Sequence, residues 1–143
     1  MRECTFCNLI TDKDNPTWIA DMKYSVALLN LEQTYRGRCL VVLKQHYDNL
    51  LDVPKELFDQ LNMEMLRLAS AIKQAWSPDR LNFAILGNEV SHVHWHVIPR
   101  YEADPNWGRP PWPIPKRTYL SQSEYRELAG MLRTILPGTS EIA

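Results

Sequence analysis

Three histidines at alternate positions are the clearest chemical feature of the chain. His92, His94 and His96 lie within five residues, although the whole chain of 143 residues has four histidines. Side chains two positions apart in a strand point to the same face, so the three imidazoles would share one face and Val93 and Trp95 the other. Because the ordinary pKa of histidine lies near neutrality, such a row suits metal binding, proton transfer or attack on phosphorus.

Composition and charge limit the classes of function. The sequence is 45% hydrophobic and 23% charged, with a formal net charge of −1, so we expect no stable complex with nucleic acid. No apolar run approaches the roughly 20 residues that span a membrane, and residues 1–7 are too polar for a signal peptide. We therefore expect a cytoplasmic protein with a single domain over residues 1–143, in which three cysteines form no disulfide framework.

The hydrophobic pattern predicts the strands that hold the histidine row. Short apolar runs bounded by turn residues predict five strands, at 17–21, 25–30, 39–43, 81–86 and 93–99. The last two are expected to be adjacent and antiparallel, because the connection between them is short. Cys39, at the start of the third strand, is expected to be a small core residue.

Two longer periodic segments predict helices. Apolar residues at three- and four-residue intervals predict a helix over 54–76. Ser121 and Glu124 resemble a capping box, which predicts a second helix over 121–136 that stops at Pro137–Gly138. The Pro- and Trp-rich segment 104–115 is expected to be an ordered loop. The expected fold is α+β, a mostly antiparallel five-stranded sheet with its two main helices on one face.

The histidine row and further segments together resemble the histidine-triad (HIT) family of nucleotide hydrolases and transferases. The segments that carry the resemblance are Cys4-Thr5-Phe6-Cys7, Ala27-Leu28-Leu29-Asn30, Gly37-Arg38-Cys39-Leu40-Val41-Val42-Leu43-Lys44-Gln45-His46 and His96-Val97-Ile98-Pro99-Arg100-Tyr101. The resemblance covers about residues 4–100, the expected core of the domain. The last segment, with residues 104–110, looks like a bacterial branch described as dinucleoside tetraphosphate hydrolase-like.

The resemblance implies nucleophilic catalysis at the α-phosphate of a purine nucleotide. His94 would attack and form a nucleotidyl-histidine that water hydrolyses, while His96 hydrogen-bonds phosphate oxygens. The backbone carbonyl of His92 would accept the other ring N–H of His94. The implied substrates are dinucleoside polyphosphates or nucleoside phosphoramidates. Two alternatives stay open: a nucleotidyltransferase or phosphorylase of the same superfamily, and a zinc-stabilised nucleotide-binding module without turnover.

Several polar residues are candidates for nucleotide binding. Asn30 suits the ribose hydroxyls because an amide both donates and accepts hydrogen bonds, although it also suits a turn. Asn88 and Ser91 precede the triad and are candidates for phosphate contacts, Asn88 being an equally good turn former. Arg38 stands where many relatives have a histidine, and its guanidinium can hold phosphate or mark an altered activity. A base-stacking and phosphate-binding rim is a further possibility for Trp107, Trp112, Arg109, Lys116 and Arg117.

Cys4, Cys7, His46 and His92 form a second candidate site. Two reduced cysteines separated by two residues fit metal ligands or a redox pair, and Zn²⁺ prefers four tetrahedral nitrogen and sulfur ligands. The resemblance implies this zinc quartet, with His92 serving the metal and not the substrate. The alternative is a pair of free cysteines beside an ordinary surface histidine.

The resemblance also implies a homodimer whose sheets join. The apolar face of the 54–76 helix, with Met63 and Met65, is a candidate contact for this dimer.

Overall fold

The computed structural model describes residues 3–136; residues 1–2 and 137–143, including the predicted stop at Pro137–Gly138, lie outside the described residues. The described residues form three helices and five strands, with a short 3₁₀ turn at Leu50–Asp52. In chain order they are α1 (Thr5–Leu9), β1 (Trp18–Asp21), β2 (Ser25–Leu29), β3 (Cys39–Leu43), α2 (Lys55–Trp76), β4 (Arg80–Ala84), β5 (His94–Arg100) and α3 (Gln122–Ile135).

The five strands form one antiparallel sheet in the order β1-β2-β3-β5-β4. The expected α+β fold is therefore confirmed, as is the antiparallel pairing of the last two strands. Strand β5 lies between β3 and β4, and its registers place His94 opposite Val42 and His96 between Leu40 and Ala84. The histidine row therefore lies on an interior strand of the sheet, one strand from the β4 edge.

The two faces of the sheet have different roles. Helices α2 and α3 pack on one face over the main core, which includes Val93 and Val97 from the histidine strand. A smaller cluster on the other face includes Phe6, Leu40 and Val42. The predicted alternation of the histidine strand is confirmed, because its intervening apolar residues enter the main core and leave the imidazoles on the opposite face.

The end of helix α2 and the start of helix α3 have identifiable causes. Helix α2 follows Pro54 and stops at Ser77, which adopts a left-handed conformation with φ 47°. Helix α3 begins with the predicted capping box, in which the Ser121 hydroxyl accepts from the Glu124 N–H and the Glu124 carboxylate accepts from the Ser121 N–H. In the described part of the chain, no helix is long and apolar enough to cross a membrane.

Helix α1 and the start of strand β5 differ from the predictions. Residues Thr5–Leu9 form helix α1, which the sequence did not predict because five residues are too short to show a helical period. Strand β5 begins at His94, one residue later than expected, because His92 turns the chain by donating its N–H to the Val90 carbonyl. His92 thus lies in a bend just before the strand.

Candidate functional site

His94 has the geometry of a neutral imidazole with one free ring nitrogen. It is the first residue of β5 and is 5% exposed. Its Nδ1 lies 2.5 Å from the His92 carbonyl oxygen, which can only accept, so Nδ1 carries the proton and Nε2 keeps its lone pair. Burial lowers the pKa of His94, which keeps the ring uncharged at neutral pH. The ring packs edge-on against Phe6, with centroids 4.6 Å apart.

His96 is held in the opposite tautomer by an arginine. The Arg38 guanidinium Nη2 lies 3.3 Å from His96 Nδ1, and because arginine can only donate, Nδ1 accepts and Nε2 carries the proton. The His96 ring lies 4.9 Å from the His94 ring and 5.1 Å from Trp112. Burial, with smaller effects of His94 and Arg38, lowers the pKa of His96 to about 3. His96 is therefore a hydrogen-bond donor through Nε2 and holds no additional proton at pH 7.

Arg38 is itself positioned by a buried acid, Glu32. The Arg38 and Glu32 side chains are 6% and 7% exposed, and Arg38 Nη1 lies 3.6 Å from Glu32 Oε1. The other carboxylate oxygen accepts from the Thr34 N–H at 2.9 Å, the Thr34 hydroxyl at 2.5 Å and the Thr118 N–H at 2.8 Å. Burial lowers the pKa of Arg38, and the charge of Glu32 opposes that shift. The Arg38 guanidinium therefore stays charged and is held on His96.

The four predicted metal ligands meet at one point. The ligand atoms of Cys4, Cys7, His46 and His92 all lie within 4.8 Å of one another. The His46 and His92 Nδ1 atoms are 3.1 Å apart, and three of the four sulfur-to-Nδ1 distances run from 3.3 to 3.6 Å. Zinc bonds of about 2.0–2.3 Å to nitrogen and sulfur put neighbouring tetrahedral ligands roughly 3.3–3.8 Å apart. The cluster therefore has nearly the dimensions of a Cys₂His₂ zinc site.

The protonation of the two histidines also fits a metal. His92 Nε2 lies 2.6 Å from the Leu43 carbonyl oxygen, and His46 Nε2 lies 2.9 Å from the Asp48 carboxylate. Each Nε2 must therefore donate, and when both rings are neutral the two Nδ1 lone pairs are aimed at the same point. A cation between them removes the repulsion of two lone pairs that face each other at this distance.

The structure places the predicted nucleotide-binding residues at different distances from the histidines. Asn30 follows β2 and its amide N–H donates to the Glu32 carbonyl at 3.0 Å. Asn88 and Ser91 are exposed in the connection between β4 and β5. Ser91 lines a small cavity of about 240 Å³ beside Cys4. In residues 3–136, neither Asn88 nor Ser91 is hydrogen-bonded to His94 or His96.

Three residues of the site were not predicted from the sequence. Phe6 packs on His94, Glu32 fixes Arg38, and Asp48 orients His46. Phe6 lies between the predicted metal ligands Cys4 and Cys7, and Asp48 lies two residues after the predicted ligand His46. These positions in the sequence could have indicated that both residues belong to the site. For Glu32 the signal was weaker: a buried arginine needs an acid, and Glu32 lies six residues before Arg38.

Comparison with known proteins agrees with this arrangement. The HIT domain family matches residues 13–103. An adenosine 5'-monophosphoramidase of Saccharomyces cerevisiae is 34% identical over 98 residues, which are 68% of this chain and 62% of that protein. A bis(5'-adenosyl)-triphosphatase of Dictyostelium discoideum is 35% identical over 85 residues, 56% of this chain and 57% of that protein.

A solved structure extends the likeness to the whole fold. The crystal structure of a Zn-bound histidine triad family protein from Mycobacterium smegmatis superposes with a TM-score of 0.72 at 26% identity, covering 94% of this chain and 93% of that one. The family match spans most of the sheet, and the histidines have the tautomers and orientation described above. The chain belongs to the histidine-triad (HIT) family.

Proposed function

We propose that the protein is a nucleotide hydrolase that cleaves dinucleoside polyphosphates or nucleoside phosphoramidates at the α-phosphate, through a nucleotidyl intermediate on His94. The observation that carries this proposal is the hydrogen bond from His94 Nδ1 to the His92 carbonyl. It leaves Nε2 as a free nucleophile on a ring that burial keeps neutral. The relatives named as a monophosphoramidase and a bis(5'-adenosyl)-triphosphatase support both substrate classes.

The reaction proceeds in two displacements. His94 Nε2 forms a bond to the α-phosphorus, and the bond from phosphorus to the leaving group breaks, its electron pair departing with that group. The His92 carbonyl stabilises the positive charge that the attacking ring gains. Water then attacks phosphorus, the P–N bond breaks with its electrons returning to Nε2, and the water proton passes to solvent. The products are a nucleoside monophosphate and the free His94 imidazole.

The protonation state of His96 influences which leaving group the site prefers. Its Nε2–H donates to a phosphate oxygen and stabilises the negative charge that grows during attack. With a pKa of about 3, His96 carries no extra proton at pH 7 to give to a leaving amine. A polyphosphate leaves as a stable anion and needs no such proton. Of the two substrate classes, this arrangement favours dinucleoside polyphosphates.

We also propose that Cys4, Cys7, His46 and His92 hold a structural Zn²⁺. The support is the near-tetrahedral spacing of the four ligand atoms and the two converging lone pairs. Four protein ligands make a closed site, which supplies rigidity and no open coordination position. Reduced thiols of this kind suit the cytoplasm, where we propose that the protein resides.

The homodimer is a separate proposal. Met65 lies in the main core, but Met63 and Leu66 on helix α2 are each 51% exposed. Phe83, on edge strand β4, is 43% exposed. An open strand edge that carries an exposed apolar side chain suits the joining of two sheets. Sedimentation velocity at micromolar concentration should show a dimer, and a monomer would contradict this proposal.

The His94→Asn variant tests the proposed activity. We expect wild-type protein to release AMP from diadenosine tetraphosphate, and the variant to lose this hydrolysis by several orders of magnitude while still binding AMP in calorimetry. Labelled nucleotide trapped on the wild-type protein should be acid-labile, as expected for a P–N bond. Wild-type protein that binds AMP without turning over either substrate class would contradict the proposal. Release of ADP when inorganic phosphate is added would instead indicate phosphorolysis.

A further inference from the structure

The indole of Trp112 lies against both Arg38 and His96. The Arg38 Cζ atom lies over the indole, 5.0 Å from the ring centroid. The His96 ring meets the indole edge-on, with ring centroids 5.1 Å apart and ring planes at 83°. Trp112 is half-buried, whereas Arg38 and His96 are buried. The indole therefore covers part of the surface that the guanidinium and the imidazole would otherwise expose to water.

Hydrogen bonds alone do not fix the Arg38 guanidinium. Its Nη1 lies 3.6 Å from Glu32 Oε1 and its Nη2 lies 3.3 Å from His96 Nδ1, both longer than the roughly 2.9–3.0 Å typical of an N–H hydrogen bond. Arg38 Nε is buried and has no hydrogen-bond partner among residues 3–136. A guanidinium with contacts this long can shift unless packing holds it. The face of a tryptophan ring attracts a guanidinium, so Trp112 supplies a further constraint on its position.

A buried arginine fixes one end of the segment that carries Trp112. This segment, residues 104–118, is called the strap below. Arg100 is 2% exposed, and its guanidinium donates to the backbone carbonyls of Asn106 and Arg109, each at 3.0 Å. The second of these bonds lies three residues before Trp112. The strap is therefore tied to the sheet close to the indole.

The other end of the strap is fixed by the residues that hold Arg38. The Thr118 N–H donates to the Glu32 carboxylate at 2.8 Å, and the Gln33 N–H donates to the Thr118 carbonyl at 2.7 Å. Glu32 therefore contacts both the guanidinium and the strap. Trp112 lies between two anchored ends, so its position does not depend on a bound nucleotide.

We propose that Trp112 is a positioning residue for the reaction, whose indole holds Arg38 against His96 and so keeps His96 in the tautomer with the proton on Nε2. The inference rests on the proposed function, since that proton donates to the phosphate. Burial is the main cause that lowers the pKa of His96 to about 3, and the indole contributes to this burial. In this role Trp112 acts through Arg38 and need not contact the substrate.

Steady-state kinetics with diadenosine tetraphosphate test this role. For Trp112→Ala, we expect kcat to fall at least about tenfold while KM changes less, because small misplacements of catalytic groups cost up to about 100-fold. Trp112→Phe keeps an aromatic face for the guanidinium and should recover most of the loss. Tyr119→Ala removes a ring that is 59% exposed and serves as the control, with a wild-type kcat. A rise in KM at unchanged kcat for Trp112→Ala would overturn the proposal, as would an equal loss of kcat in Trp112→Phe.

A second background tests whether Trp112 acts through Arg38. The variant Glu32→Gln/Arg38→Met lacks the guanidinium and leaves neither charge of the pair unpaired. Because residues that act through one another are not additive, Trp112→Ala should lower kcat much less in this background than in the wild type. An equal fold loss in the two backgrounds would overturn the proposal.

The tautomer of His96 can be measured without turnover. Nitrogen-15 spectra of the imidazoles should show the His96 proton on Nε2 in the wild type and in Trp112→Phe. In Trp112→Ala, both His96 nitrogens should shift toward the values of a ring that exchanges between tautomers. Wild-type protein that hydrolyses neither substrate class would remove the proposed function, but this change of tautomer would still support the role of Trp112. A single tautomer with the proton on Nε2 in Trp112→Ala would overturn it.

Discussion

Replacing Arg38 with methionine tests the buried ion pair behind His96. The substitution keeps the length of the side chain but removes the charge that faces Glu32 at 3.6 Å. The buried Glu32 carboxylate would keep the donors on one oxygen and lose its partner from the other. Breaking a buried pair in this way costs about 3–5 kcal/mol of the free energy of unfolding. That is a large share of the roughly 5–15 kcal/mol typical of a domain.

The assay is urea denaturation followed by tryptophan fluorescence, applied to a double-mutant cycle. We expect Arg38→Met to lose about 3–5 kcal/mol, and Glu32→Gln/Arg38→Met to recover much of it because neither charge is then left unpaired. Arg36→Met is the control: its ion pair with Glu124, at 3.8 Å, is exposed and should contribute less than about 1 kcal/mol. A loss below about 1 kcal/mol for Arg38→Met would refute the reasoning, as would a double variant no more stable than the single one.

The double variant also isolates what Arg38 does for His96. In the double variant, His96 Nδ1 no longer accepts a hydrogen bond from the guanidinium, whose Nη2 lies 3.3 Å away in the wild type. The ring can then turn and take either tautomer, so the donor that faces phosphate is misplaced. Because small misplacements of catalytic groups cost up to about 100-fold, we expect kcat to fall at least about tenfold with a smaller change in KM. A wild-type kcat would show that Arg38 does not position His96.

Three further outcomes are expected. Purified protein should contain one zinc per chain by mass spectrometry, and Cys7→Ser should lose the metal and lower Tm, since metal bound to the folded state alone stabilises it. His96 has a pKa of about 3 when folded, against 6.5 as its ordinary value. The stabilisation that follows from this difference should be fully present above pH 6.5, and the free energy of unfolding should fall by up to ~1.4 kcal/mol per pH unit as the pH drops toward 3. His96→Asn should make this dependence on pH less steep. Gly37→Ala should lower Tm, because Gly37 has φ +96° and an added Cβ would lie 2.8 Å from the Trp76 ring; a Tm equal to wild type would contradict this.

Local patterns were sufficient to predict the elements. Strand β3 runs from Cys39 to Leu43 as predicted, because five apolar residues follow a turn at Arg36–Gly37 and precede a polar segment. Helix α2 was predicted to within one residue by its apolar period. Strand β4 was less well placed: it covers 80–84 and not 81–86, because periodicity does not show where pairing with β5 stops.

Contacts between distant segments could not be predicted in the same way. Phe6 reaches His94 across 88 residues of sequence, and the Thr118 N–H reaches Glu32 across 86. No local period encodes such a contact. They depend on how helix α1 and the segment after residue 113 fold back over the sheet. The resemblance to a family identified the triad and the candidate ligands, whereas the partners that orient them follow from packing.

The resemblance implies two roles for His92, and in the structure different atoms are placed for them. Its backbone carbonyl accepts from His94 Nδ1, while its ring Nδ1 faces Cys4, Cys7 and His46. In the proposed zinc site, a metal on this ring would fix the bend that holds the carbonyl against His94. The same metal would fix helix α1 through the cysteines on either side of Phe6, which packs on the His94 ring. Two of the contacts that orient the nucleophile would therefore depend on one ion, so metal loss should impair kcat even though no ligand to the metal touches phosphate.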